Sequence, residues 1–220
     1  VVFRSSAQAV LDWSENTARS FGTSKRAALE SAGTFGNLFV TMGLAPKAAS
    51  EMSISLVELS ADLASFNNIP VADALEKIRA GLVGEVEPLR TVGVALSAAQ
   101  VEAKALQLGL ARTKDEISET DKVTARYQLI LEQTTTAQGD FARTSDGLAN
   151  SQRVLNAQID DLRVKVGERL QPVITDIVRR MNEWIDTNGD QFAEDLASGL
   201  ERAASAASAL LGALGDLGGW

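Results

Sequence analysis

From Leu148 the apolar residues recur every three or four positions: past Gln152 come Leu155, Ile159, Leu162, Val166, Leu170, Ile174, Ile177, Met181 and Trp184, all on one stripe. A mean step of about 3.6 belongs to a straight amphipathic helix, whereas a left-handed coiled coil repeats every 3.5. The pattern predicts nearly one helix over 139–185, with Asp140 capping its N-terminus. Two residues interrupt it. Gly167 weakens the helix and Pro172 removes the amide that would bond the carbonyl of Glu168, so a kink or break is expected between them. Because this stripe is the longest apolar face in the chain, it is expected to be the central packing surface, and a carboxylate placed at Leu155 is expected to be severely destabilising.

Upstream the same period recurs in shorter runs. A first helix is predicted over 5–20, with Val10, Trp13 and Thr17 on one side and Gly22 as its stop. Ser24 caps a second, with Ala28, Leu29, Ala32, Phe35, Phe39 and Met42 aligned and Gly43 ending it. A third starts near Pro46, which the first turn of a helix accepts, and carries Met52, Leu56, Leu59, Leu63 and Phe66 as far as Asn67. From Val71 to Leu110 come short helices separated by Gly81, Gly84, Pro88, Gly93 and Gly109, with Ser97 as a further cap. A polar linker then leads to a helix that buries Val123, Tyr127, Ile130 and Leu131. Asp186, Thr187, Asn188 and Gly189 read as a turn before a last amphipathic helix with Phe192, Leu196 and Leu200, which runs into the Ala, Ser and Gly of AASAASALLGALGDLGGW. The expected architecture is all-α: a compact multi-helix bundle around one long kinked amphipathic helix, with a helical C-terminal extension. Its parts are a bundle of short helices over 1–138, the kinked helix over 139–187 packing on it, and the Ala- and Gly-rich helix and tail over 188–220.

Composition narrows the chemistry. In 220 residues, 45% are hydrophobic but only 5% aromatic, so the core is built from small and aliphatic side chains that suit closely packed helices. There is no Cys and no His, which removes disulfides, thiolate or imidazole metal sites and histidine-based catalysis. The net charge of −8 is weighted to the C-terminal half, and from Asp186 onward six acids face a single Arg202. Such a surface does not release counterions from DNA, so no specific nucleic-acid binding is expected. The chain begins at Val1 without a signal pattern, as expected of a segment of something longer.

No constellation of residues points to catalysis. Asp160 with Asp161, Glu85 with Glu87 and Glu194 with Asp195 offer carboxylate pairs, but neighbouring helical positions diverge by about 100°, so solvated faces account for them. Asp186, Asn188 and Asp190 imitate the start of a calcium loop, yet the glycine stands at 189, not 191, and position 197 is Ala where the pattern needs Glu. No cofactor and no metal is expected. Trp13, Trp184 and Phe141 read as core residues, and the small-residue C-terminus reads as a flexible or partner-packed helix in preference to a membrane segment.

The segment GDFARTSDGLAN resembles the signature of tail tape measure proteins of long-tailed bacteriophages, through Gly139, Asp140, Phe141, Ala142, Arg143, Thr144, Ser145, Asp146, Ala149 and Asn150. The blocks FGTSKRAALESAGTFGNLFVTMGL, LSADLASFNN, ALEKIRAGLVGEVEPLRTVGV, ARYQLILEQT and VKVGERLQPVI resemble successive parts of the same family, so the resemblance covers about 21–185.

The resemblance implies a structural, non-enzymatic protein of the tail lumen that sets tail length, scaffolds the tube and assists genome ejection. It implies tail tube and tail-tip proteins as partners, self-association with three copies, and host-membrane contact only during ejection. The location it implies is the virion, with the host cytoplasm during assembly. Family members are far longer than this chain, which therefore reads as a folded block of a larger tape measure or as a short relative. The apolar residues Ile174, Ile177, Met181 and Trp184 beyond Pro172 are the expected partner-helix face. Two alternatives stand beside this reading. A peptidoglycan-cleaving module of a tail protein needs a Glu of raised pKa in a cleft, for which Glu132 has the most apolar context. A host cytoplasmic helical adaptor is favoured if the gene's neighbours are not tail genes.

Overall fold

The computed structural model describes residues 7–217, with side chains as far as Ser208. The described residues are all-α and contain no strand. The chain runs through α1 (Ala7–Ser14), α2 (Thr17–Phe21), α3 (Lys25–Thr41), α4 (Pro46–Phe66), α5 (Val71–Val83), α6 (Glu87–Arg90), α7 (Ala98–Gln107), α8 (Glu119–Gln133), α9 (Asp140–Arg143) and α10 (Leu148–Leu217), with a 3-10 turn at Lys114–Glu116. It divides into two compact units, Val1–Arg163 and Val164–Trp220, the cut falling within α10.

In the first unit the core is assembled on α4. One side of this helix is apolar (Leu56, Leu59 and Leu63) and much of the rest is small, so Ala49, Ser53, Ser60, Ala61 and Ala64 are buried as well. Its buried hydroxyls return to their own helix, Ser53 Oγ to the carbonyl of Ala49 at 2.5 Å and Ser60 Oγ to that of Leu56 at 2.6 Å, leaving no unpaired donor where neighbouring helices approach. Helix α3 lays Ala28, Ala32, Phe35 and Phe39 on it, and the Phe39 ring meets Tyr127 of α8 edge-on at 6.5 Å. Helices α5, α7 and α8 complete the cluster with Ile78, Leu82, Val101, Val123 and Ile130. Gly81 marks the closest approach: a Cβ there would stand 2.0 Å from Leu89 Cδ1 of α6.

Local signals place most of the boundaries. Ser24 accepts from the Ala27 amide and Ser97 forms a reciprocal capping box with Gln100, as its position before an apolar run predicts. Pro46 sits in the first turn of α4, and Gly22 (φ 61°) and Gly84 (φ 102°) take the left-handed conformation that ends α2 and α5. The expected first helix over 5–20 is two pieces, α1 and α2, and its start lies outside the described residues. Of the side chains expected inside on α8, Val123 and Ile130 are buried, while Tyr127 and Leu131 are partly covered.

The long helix differs from expectation in three ways. It starts at Leu148, not at Asp140: residues 140–143 form the separate turn α9, and the chain bends through 144–147 before α10 begins. No break follows Gly167 or Pro172, and α10 continues through both. The turn expected at 186–189 is also helical, and Thr187 Oγ1 and Asn188 Nδ2 donate to the carbonyls of Glu183 and Trp184 four residues earlier. The final helix is therefore the continuation of α10, and the side chains of the small-residue tail beyond Ser208 lie outside the described residues.

Candidate functional site

The residues of GDFARTSDGLAN converge on the C-terminal turns of α4. Asp62 is 8% exposed, and its two carboxylate oxygens accept the amide of Gly139 at 2.7 Å and of Phe141 at 3.1 Å. A carboxylate on one helix thus caps the first turn of another, with Gly139 at φ 74° bringing the amides round. Asp140 does not cap a long helix. It accepts a hydrogen bond from Ser65 Oγ at 2.6 Å and lies 3.6 Å from the guanidinium of Arg143, which donates to the carbonyls of Gln138 and Thr136. Asn150, 3% exposed, donates from Nδ2 to Ser65 Oγ and to Thr144 Oγ1, each at 2.8 Å.

Two further residues close the arrangement. Arg153 donates to the carbonyls of Ala64 and Ile69, which lie at and just past the end of α4, and to Asn150 Oδ1. The Phe141 ring is buried beside Gly22, where a Cβ would come within 2.9 Å of Phe141 Cζ and of Arg153 Cβ. Asp146 and Ala149 are exposed and take no part. Burial pushes the Asp62 carboxyl above its ordinary range, against the pull of the two amides and of Arg143. Among the described residues no buried side-chain N or O lacks a partner, so this arrangement is a fully satisfied polar clasp. Asp62 and Ser65 stand in the block LSADLASFNN, but nothing local pairs them, or Arg153, with partners that lie 75 to 89 residues away.

The second feature is a bare surface. Ile174, Ile177 and Met181 are 55%, 56% and 58% exposed, and Trp184, expected in the core, is 49% exposed with its ring meeting Phe192 edge-on at 5.8 Å. The stripe is equally open upstream: Leu155 and Leu162 are exposed, while Ala157 and Arg153 carry the contact of α10 with the bundle. The face expected to be the core of the molecule is therefore uncovered among the described residues of α10, and the buried cluster of the first unit is assembled on α4.

The carboxylates sort differently from expectation. Glu132 is held below its ordinary range by hydrogen bonds from Lys104 and Gln128. Glu58 is instead the glutamate pushed up, by burial and by the neighbouring Asp62, while the Trp13 indole N–H donated to it at 2.9 Å pulls the other way. Asp160 pairs with Arg163, and Asp161 accepts the Lys25 amide at 2.8 Å. Among the described residues no group of acids is placed to hold a metal ion, and no helix is long and apolar enough to cross a membrane. Comparison with protein-family models, with curated proteins and with solved structures gives no match in any of the three.

Proposed function

We propose that this chain is a folded block of a phage tail tape measure protein, a structural component of the tail lumen that sets tail length, scaffolds the tube and assists genome ejection. The observation that carries the reading is the clasp. Two of the blocks through which the chain resembles that family, LSADLASFNN and GDFARTSDGLAN, supply Asp62 and Ser65 on one side and Gly139, Asp140, Phe141, Thr144 and Asn150 on the other. Residues that serve a shared architectural joint have a reason to occur together in a structural protein that needs no catalytic centre. The exposed stripe on α10 supplies what such a protein needs next, a surface for tail tube proteins, tail-tip proteins or further copies of itself. In this reading the chain resides in the virion, after assembly in the host cytoplasm.

The test is made on particles. Purified virions of a phage carrying this gene are expected to contain the chain by mass spectrometry, and deletion of the gene is expected to abolish tails or to change their length. Tails of normal length without the protein would end the proposal. The peptidoglycan-cleaving alternative has one observation in its favour, the raised Glu58, but that carboxylate is engaged by Trp13. Lysis of cell-wall substrate by the chain, lost in Glu58→Gln, would favour that alternative.

A further inference from the structure

Among the described residues the second unit is a single stretch of helix whose charges are unevenly spread along its length. Over 164–182, Lys165, Arg169, Arg179 and Arg180 outnumber Glu168 and Asp176. Over the following residues, 183–208, there are six acids and a single base, Arg202, which donates to Ser198. Part of this charge is used within the helix, where Asp176 pairs with Arg179 and Arg180, and Arg179 with Glu183. Lys165 and Arg169 near one end, and Asp190, Glu194, Asp195 and Glu201 near the other, have no ion pair among the described residues.

The apolar stripe runs through both halves, from Val166 to Leu200, and its large side chains are about half exposed. At roughly 50–100 Å² apiece, about ten such side chains from each of two helices offer roughly 1,000–2,000 Å², which overlaps the ~1,200–2,000 Å² that a specific interface buries. The occupant has to be apolar, helical and of opposite polarity in charge. A second copy of this helix meets all three conditions when it runs the other way.

We infer that the 164–208 segment pairs with a second copy of itself in antiparallel orientation. Overlaid about Glu183, the two copies bring Lys165 of each level with Glu201 of the other and Arg169 within one turn of Asp195. A parallel pair would instead set the six acids of one copy beside the same six of the other. A closed ring of three runs all its helices in the same direction, so this pairing gives two copies where the family resemblance implies three. The inference rests on the helix's own pattern and stands apart from the proposed function: parallel association would overturn it and leave the tape-measure reading intact, whereas virions without the chain would do the reverse.

The chain has no Cys, so one introduced thiol reports orientation. Gly167→Cys is suitable because a Cβ there meets nothing within 4 Å. In the full chain carrying a nitroxide at this site, the antiparallel pair is expected to give a spin–spin distance near 48 Å, from thirty-two intervening residues at about 1.5 Å each. A distance of about 10–20 Å, the separation of neighbouring parallel helices with their labels, would overturn the inference. Absence of any dipolar signal at concentrations up to hundreds of micromolar would do so too. Light scattering is expected to give two copies, and one or three would refute it. Ile177→Glu should weaken association at least tenfold, and raising salt should weaken the wild-type pair as the end charges are screened.

Discussion

At the scale of single residues, Asp62 is the most consequential polar side chain in the structure. Its carboxylate satisfies the amides of Gly139 and Phe141 where water has little access, so Asp62→Ala leaves two donors unpaired. The expected cost is about 2–4 kcal/mol, read as a lower midpoint in urea with an unchanged slope. Glu58, one turn earlier on the same helix, tests the electrostatics. Its pKa in the folded state is raised, so between the ordinary glutamate value and the folded value the native protein binds more protons than the unfolded chain. Stability contributed by this group is thus present at low pH and is lost as pH rises through the folded pKa. Asp62 is raised in the same sense. Glu58→Gln keeps an acceptor for the Trp13 indole and removes the charge next to Asp62. The variant should lose less stability than the wild type as pH rises from about 4.5, the lower edge of that window. Thermal melts across a pH series provide the check, and parallel curves for the two proteins would contradict the assignment.

At the scale of elements, punctuation was legible in the sequence and the destination of an apolar face was not. Ser24, Ser97, Pro46, Gly22 and Gly84 act through their own backbones, so their roles could be read in place. Burial depends on what lies opposite. The stripe on α10 is the more hydrophobic to the eye, yet α4 is the buried helix, because Ala and Ser between its leucines let neighbours approach closely. Leu155→Asp, severely destabilising had that stripe been core, should now change the melting temperature little, whereas Leu56→Asp should unfold the chain. Both sides of the clasp lay in blocks that stood out through resemblance, but nothing in the sequence paired them, because Asp62 and Ser65 on α4 are remote from their partners Gly139 and Asp140. The supposed turn at 186–189 has turn-forming residues and no turn, and Thr187 and Asn188 satisfy their side chains on carbonyls of the preceding turn of helix. Gly189→Ala separates the two states. In a helix, where the added Cβ makes only an ordinary contact with Ile185, it should raise helicity and stability by about 0.5–1 kcal/mol. In a turn needing positive φ it would lower both, so circular dichroism decides.

At the scale of the whole molecule, the question is whether length or packing carries the function. In a continuous ruler, removing residues shortens the assembly by about 1.5 Å for each. Residues 151–158 lie within the first unit, however, and include Arg153, which binds the end of α4, and Ala157, which is buried against the bundle. Deleting these eight also changes which residues follow. Asp161, whose carboxylate accepts the Lys25 amide, would move to an earlier turn and rotate by roughly 80° about the helix axis, given about 100° per residue. The clasp would lose Arg153 and the seat of α10 would lose its register. The purified deletion variant should therefore melt well below the wild type. Under the proposed tape-measure function, phage carrying it should lose tail assembly or infectivity, with no proportionally shorter tails in electron micrographs. Viable particles with tails shorter by about 12 Å, eight residues at the helical rise, would show that this stretch serves as length and that the folded joint between α4, α9 and α10 is dispensable.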